Sequence, residues 1–81
     1  MNLDPATLSK NAEEVADILK QLSNANRLMI LCCLTEQEQS VGQLNENINL
    51  SQSALSQHLA KLRATNLVAT RRESQTIYYQ V

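Results

Sequence analysis

The stretch "SQSALSQHLAKLRATN", residues 51–66, carries the clearest structural pattern of this 81-residue chain. Leu55, Leu59 and Leu62 recur within it at steps of four and three, so they share one face of an α-helix. Ser51 stands directly before the helix, where a hydroxyl can cap the first backbone N–H groups. Most residues off the leucine stripe are short or polar. The pattern therefore predicts a capped helix with an apolar inner face and a polar outer face.

A shorter helix is predicted directly before this one. Ser40 is its expected cap, and Val41, Leu44 and Ile48 fall on one of its faces. The turn at "NL", residues 49–50, is short, so the two helices are expected to pack together as a helix-turn-helix over residues 40–65.

Two further helices are predicted upstream. The second helix of the chain begins after a cap at Ser23 or Asn24 and runs to about Thr35, and "EQEQS", residues 36–40, is predicted to be a loop. The first helix has Pro5 in its first turn and Asp4 as its cap. Its apolar residues form a seam narrow enough to pack on one neighbouring helix, from the same chain or from a second subunit: Leu8, Ala12, Val15, Leu19 and Leu22.

After Asn66 the hydrophobic period changes from that of a helix to that of a strand. "LVATRR" and "TIYYQV" are rich in β-branched and aromatic residues, and Glu73, Ser74 and Gln75 separate them as a turn. We predict a hairpin, or wing, over residues 67–81. The predicted fold class is mainly α with a β-hairpin, a single winged helix-turn-helix domain of order α-α-α-α-β-β over residues 1–81.

The charge is distributed unevenly although the net charge is only −1. Residues 1–50 carry three basic and seven acidic side chains, whereas residues 51–81 carry four basic and one acidic. A basic C-terminal part is typical of an edge that faces nucleic acid, although ordinary surface scatter gives the same counts. No apolar run is long enough for a membrane span and no signal peptide is visible, so we expect a cytoplasmic protein.

The outer face of the fourth helix carries groups that suit the major groove of DNA. Glutamine can pair with adenine through two hydrogen bonds, serine can donate or accept, and lysine and arginine can bind phosphates. The predicted DNA-contacting set is Ser51, Gln52, Ser53, Ser56, Gln57, His58, Lys61, Arg63, Arg71, Arg72 and Gln75.

The sequence resembles the ArsR/SmtB family of bacterial repressors over about residues 8–81. The matching motifs are the serines of "SQSALSQHL", the "LVATRR" strand with the closing "YY", and "LSNANRLMILCCL" upstream. The resemblance implies a homodimer that binds a palindromic double-stranded DNA operator. It also implies that residues 1–22 are a dimerisation helix, so the seam named above becomes a dimer interface. No cofactor and no membrane partner are expected.

Two departures from the family bear on what the protein senses. Metal-sensing members commonly carry a Cys-x-Cys motif at the start of the third helix, where this chain has "SVGQL". Other members hold zinc with a C-terminal helix that would begin at Val81, where this chain stops, and we interpret the chain as incomplete. His58 has no second ligand at a workable spacing, so we expect it to pack between helices or to face DNA. No metal site is therefore predicted, and a metal-responsive repressor is kept as an alternative.

The only cysteines, Cys32 and Cys33, lie in "LMILCCL", residues 28–34. At 100° per residue they point apart and cannot form a bridge without distorting the backbone. We expect Cys32 on the flank of the core and Cys33 opposite the core. The core side itself is expected to consist of Arg27, Leu28, Ile30, Leu31 and Leu34, with Met29 beside Cys33.

The resemblance adds a possible role for these cysteines. A thiol- and persulfide-responsive subgroup of the family, typified by BigR, HlyU and SqrR, keeps a cysteine at the position of Cys32. The hypothesis is that Cys32, and less directly Cys33, sense a small thiol-reactive effector that releases the operator. The alternative is that both are small apolar residues of the core.

A winged helix can serve as a protein–protein interaction module, and the low net charge is compatible with that. An enzyme is not expected, because no arrangement of nucleophile, base and carboxylate can be placed in a pocket and one glycine cannot build a phosphate loop.

Overall fold

The computed structural model describes the backbone of residues 5–81 and the side chains of residues 11–81. The predicted cap Asp4 and the side chain of Leu8 lie outside these described residues. Four helices and a hairpin follow one another in the predicted order, which confirms the mainly α, winged helix-turn-helix class. The elements are α1 (Pro5–Leu22), α2 (Ala25–Glu36), β1 (Gln39–Ser40), α3 (Val41–Asn47), α4 (Gln52–Ala64), β2 (Ala69–Glu73) and β3 (Thr76–Gln80).

Three described helices, α2, α3 and α4, begin at a residue whose side chain accepts hydrogen bonds from the first backbone N–H groups. The side chain of Asn24, not Ser23, caps α2 by accepting from the N–H groups of Asn26 and Arg27. Ser40 caps α3 in a reciprocal box with Gln43, and Ser51 accepts from the N–H of Ala54 at 3.1 Å. Each cap supplies an acceptor for backbone N–H groups that have no partner within the helix. Because the cap and these N–H groups are neighbours in sequence, the sequence alone locates these boundaries well.

The end of α4 turns the chain into the wing. The N–H of Asn66 donates to the carbonyl of Arg63 at 3.0 Å, and that of Leu67 to the carbonyl of Leu62 at 2.9 Å. This pair of hydrogen bonds at the end of a helix requires one residue in the left-handed conformation, and Asn66 adopts it with φ 61°. Asparagine tolerates that conformation better than other side chains apart from glycine. The reversal places Val68 in the core directly before β2.

The wing is a three-stranded antiparallel sheet in the order β1-β3-β2. In the hairpin Arg71 lies opposite Tyr78 and Glu73 opposite Thr76, so the turn is the two residues Ser74 and Gln75. The prediction that residues 36–40 form only a loop is wrong at its end, because Gln39 and Ser40 pair with β3. The pairing satisfies backbone groups at the otherwise open edge of β3.

A compact apolar cluster lies where α2, α3 and α4 meet. All three leucines of the α4 stripe are completely buried, as are Ile30 and Leu44. The full buried set is Ile30, Leu34, Leu44, Ile48, Leu55, Leu59, Leu62 and Val68.

The predicted orientation of α2 is partly wrong. Leu28, expected in the core, is 50 % exposed, and Cys33, expected opposite the core, packs against it. Ile30 and Leu34 fix the inward direction of the helix. Leu28 is two residues before Ile30 and so lies about 200° around the helix, whereas Cys33, three residues after it, lies within about 60°.

The seam of α1 divides between the core side and the surface. Val15 and Leu22 are half-buried, whereas Ala12 is exposed and Leu19 is 61 % exposed. Helix α1 contacts α2, so the half-buried edge of the seam faces the same chain. No helix within the part of the chain that the structure describes is long and apolar enough to cross a membrane.

Candidate nucleic-acid interface

The outward face of α4 is a short polar surface. Gln52, Ser53, Ser56 and Gln57 are all exposed. Ser53, Ser56 and Gln57 lie on the side of the helix turned away from the buried leucines, whereas Gln52, three residues before Leu55, is exposed because it begins the helix. Among the residues described here, none of these four side chains makes a hydrogen bond. Ser51, also in the predicted set, is exposed, but its hydroxyl is used as the helix cap. The four free side chains can therefore pair with an external partner without breaking internal bonds.

His58 does not share that face. It is half-buried on the side of α4 toward α2, and its Nδ1 accepts a hydrogen bond from Arg27 Nε at 3.3 Å. The guanidinium of Arg27 also donates to the amide oxygen of Gln21 on α1. Burial, and next the positive charges of Arg27 and Lys61, hold the pKa of His58 below its usual value of 6.5. His58 is thus a neutral acceptor in a polar junction of three helices.

The two basic residues at the end of α4 leave the helix on different flanks. Lys61 and Arg63 are both exposed in the last turn. They are two residues apart, so their side chains point about 200° away from each other around the axis. Only Lys61 lies on the flank beside α1 and α2, where it helps to line an open cleft. The predicted phosphate contacts from α4 therefore do not converge on one point.

The arginines of the wing separate in the same way. Arg71 forms ion pairs with Glu38 at 2.5 Å and with Glu73 at 2.9 Å, and its guanidinium lies 4.8 Å from the ring centre of Tyr78. The hydrogen bond from Arg71 holds the pKa of the Glu38 carboxyl below its usual value. Two carboxylates therefore offset the positive charge of Arg71 in the free protein.

Arg72 lies on the opposite face of β2 from Arg71, because successive strand residues alternate in direction. Its Nε donates to the backbone carbonyl of Ser74 at 3.3 Å, a contact that leaves its charge uncompensated. Gln75 is exposed in the hairpin turn beside Ser74, which adopts a left-handed φ of 57°. The tip of the wing thus presents Arg72 and Gln75 to the outside.

The two cysteines occupy different environments on the continuous helix α2. Cys32 is exposed, whereas Cys33 is half-buried against the core, and its carbonyl accepts from the buried side chain of Gln39 at 3.0 Å. Burial, and next the nearby Cys32 and Glu36, raise the pKa of the Cys33 thiol above its usual value. Cys32 is therefore the more accessible of the two thiols to a reagent in solution. Across the described residues no three His, Cys, Asp or Glu side chains group as a metal site would require.

Sequence reasoning missed the roles of Gln21, Arg27 and Glu38. The sequence pattern predicts Arg27 on the core side of α2 without a partner, and it gives no role to Gln21 or Glu38. Their contacts join residues up to 33 positions apart. Helical spacing within one element carries no signal for such pairs, because they depend on how separate elements pack.

Acidification is expected to destabilise the fold through His58. Because its pKa is lowered in the folded chain, its contribution is fully present above the unfolded value of about 6.5 and is lost as the pH falls through the folded value. Urea unfolding followed by circular dichroism should show the free energy of unfolding falling below that pH. One proton limits the decrease to about 1.4 kcal/mol per pH unit. His58→Gln, which can still accept from Arg27, should remove this decrease, and an equal decrease in the variant would contradict the assignment.

Comparison with known proteins agrees with this geometry. Residues 24–70, more than half of the chain, match the family described as bacterial regulatory protein, arsR family. Nodulation protein NolR of Rhizobium meliloti is 53% identical over 75 residues, which cover 93% of this chain and 62% of that protein. Transcriptional activator HlyU of Vibrio cholerae is 51% identical over 79 residues, which cover 98% of this chain and 71% of that protein.

Solved structures of relatives superpose closely. Reduced HlyU from Vibrio cholerae has a TM-score of 0.83 at 49% identity, covering 93% of this chain and 79% of the other. The transcriptional repressor BigR from Xylella fastidiosa has a TM-score of 0.82 at 43% identity, covering 98% of this chain and 81% of the other. The expectations of a winged helix and of a regulator rather than an enzyme are thereby confirmed. The chain belongs to the arsR family of bacterial regulatory proteins.

Proposed function

We propose that this protein is a transcriptional repressor that binds a palindromic DNA operator as a homodimer, in the cytoplasm, and releases it on reaction with a persulfide or oxidant. The observation that carries the DNA-binding part is the outward face of α4, where the exposed Ser53, Ser56 and Gln57 lie opposite a completely buried leucine stripe and Gln52 is exposed at the start of the helix. The repressor role is supported by a relative named biofilm growth-associated repressor, 46% identical over 74 residues.

The dimensions of α4 suit the major groove. Its 13 residues span about 20 Å, and the groove of about 12 Å admits one helix. Gln57 projects from the middle of the outward face and can bind an adenine edge through two hydrogen bonds. The tip of the wing, with Arg72 and Gln75, is placed to contact the backbone beside the groove. Positioning by phosphates and reading by base edges are thereby divided between the wing and the helix.

Dimer formation is supported by the apolar residues that α1 and α2 leave exposed. Leu19 is 61% exposed, Leu28 is 50% exposed and Met29 is 55% exposed. Large apolar side chains that remain exposed on neighbouring helices are typical of an interface. The proposed dimer surface therefore retains Ala12 and Leu19 of the predicted seam and adds Leu28 and Met29. A symmetric dimer would present two copies of α4 to half-sites about one helical turn of DNA apart.

Release by a thiol-reactive signal is proposed for Cys32. It follows Leu28 by four residues and Met29 by three, so the three side chains lie on the same face of α2. A persulfide donor would transfer its outer sulfur to the Cys32 thiolate and leave as the free thiol, giving a cysteine persulfide. This replaces the Cys32 thiol with a longer and more acidic persulfide on an apolar surface that pairs the subunits, which weakens the dimer.

Binding to DNA is tested by selecting sites from random-sequence duplexes and then titrating the selected duplex at several salt concentrations. Gln57→Ala should relax the base preference at one position of each half-site, because a base-edge contact is lost. Arg72→Ala should instead weaken binding to all sequences alike and lower the slope of log K against log salt by about one.

The matched control for glutamine truncation is Gln80→Ala, at the end of β3 away from the hairpin turn, which should leave both quantities unchanged. Affinity that does not depend on salt, or no affinity at all, would contradict the proposal. A partner protein that stays bound after nuclease treatment would then favour an interaction module.

The sensing role is tested by measuring duplex binding of the wild type, Cys32→Ser and Cys33→Ser with and without a persulfide donor. The wild type and Cys33→Ser should lose affinity on treatment and Cys32→Ser should keep it, with sedimentation reporting dissociation of the dimer. Equal release from all three would show that neither cysteine is the sensor. Release by cadmium or zinc, without any response to the persulfide, would favour the metal-responsive alternative.

A further inference from the structure

An open, positively charged cleft lies where the turn between α1 and α2 meets the flank of α4. Its volume is about 390 Å³. Three helices each contribute one basic side chain to it, and no acidic side chain is among its lining residues. The cleft is lined by Lys20, Gln21, Ser23, Asn24, Arg27 and Lys61.

The three positive charges of the cleft are not neutralised within the described residues. Arg27 donates only to neutral acceptors, through Nε to His58 and through one Nη to Gln21, so its second Nη remains available. Neither Lys20 nor Lys61 has a carboxylate oxygen within 4 Å in the described part of the chain. Arg71, by contrast, forms ion pairs with two carboxylates.

Side chains, rather than the start of a helix, supply the charge of the cleft. The first free N–H groups of α2 are already bound by the side chain of Asn24. The positive field is felt by a neighbour, since Arg27 and Lys61 both contribute to lowering the pKa of His58. An anion that enters the cleft would meet three cations without displacing an internal ion pair.

Lys61 lines the cleft and also lies next to the outward face of α4. Lys61 follows Gln57 by four residues, one helical turn along α4. A helix lying in the major groove has the two phosphate backbones along its flanks. The flank of α4 that carries Lys61 therefore faces a backbone strand when Gln57 faces the bases.

We propose that this cleft binds a phosphate of the DNA backbone at the edge of the groove that α4 enters. The proposal rests on the proposed DNA-binding function and extends the footprint from α4 and the wing to the junction of α1 and α2. Lys20 and Arg27 thereby become DNA-contacting residues, and Lys61 shares their phosphate. The contact carries no base specificity, because a phosphate is the same in every sequence.

The test is a salt titration of random-sequence duplex DNA with the full chain. Lys20→Gln should weaken binding by the same factor on every sequence. In the double variant Lys20→Gln with Lys61→Gln, the slope of log K against log salt should fall by about one, as for loss of one phosphate contact. Lys10→Gln removes the same charge ten residues earlier on α1 and should leave the affinity and slope unchanged. Arg27 is left intact because it also holds Gln21 and His58.

The outcomes separate this proposal from the function on which it rests. If Arg72→Ala lowers the slope while the double variant retains the wild-type slope, the cleft proposal is wrong and DNA binding stands. If the wild type does not bind duplex DNA at all, both are wrong. A second titration uses inorganic pyrophosphate and follows amide shifts at Lys20 and Arg27. Saturable binding there, together with unchanged duplex binding by the double variant, would assign the cleft to a small phosphorylated molecule and overturn the DNA assignment.

Discussion

Burial of the leucine stripe on α4 fixes the rotation of that helix about its own axis. Leu55, Leu59 and Leu62 are completely enclosed by α2, α3 and the start of the wing, and each buried leucine contributes about 1.5–3 kcal/mol. A rotation that exposed the stripe would forfeit most of that stabilisation. The polar residues between the leucines are therefore held outward by a constraint that does not involve them. The direction in which the polar face of α4 points depends on this rotation.

Arg71 and Arg27 represent two kinds of basic residue, one paired with carboxylates and one bonded only to neutral groups. Arg71 is held by Glu38 and Glu73 against Tyr78, so it stabilises the wing and has little net charge to offer a partner. Arg27, in contrast, bonds only to neutral groups and keeps its charge while it joins α1 to α4. A count of basic residues in the C-terminal part does not reveal this division. The surface that remains positive includes α1 and α2 as well as α4 and the tip of the wing.

The sequence predicted those features that are encoded by local spacing and local hydrogen bonds. The caps at Ser40 and Ser51, the buried faces of α3 and α4 and the hairpin all follow from a few neighbouring residues. Features that depend on packing between elements were missed or placed wrongly. Leu28 is exposed and Cys33 packs against the core, the reverse of the prediction. The sequence does not determine which side of α2 faces inward, because this helix is apolar nearly all round and its orientation depends on the elements packed against it. Gln39 and Ser40 form a strand because their backbone pairs with the edge of β3, which is distant in sequence.

The same distinction applies to the candidate site. The outward polar face of α4 could be predicted, because it is the complement of the leucine stripe. The inward placement of His58, the ion pairs of Arg71 and the cleft at Lys20 could not, because each joins residues from different elements.

The proposed function requires that α4 present its outward face to DNA while its inward face holds the core. This orientation can be measured by titrating isotope-labelled protein with duplex DNA and following the amide and side-chain amide shifts. Saturable shifts are expected, concentrated at Gln52, Ser53, Ser56 and Gln57, with the core leucines little affected. Shifts confined to the exposed apolar residues Leu19, Leu28 and Met29, or none on α4, would contradict it.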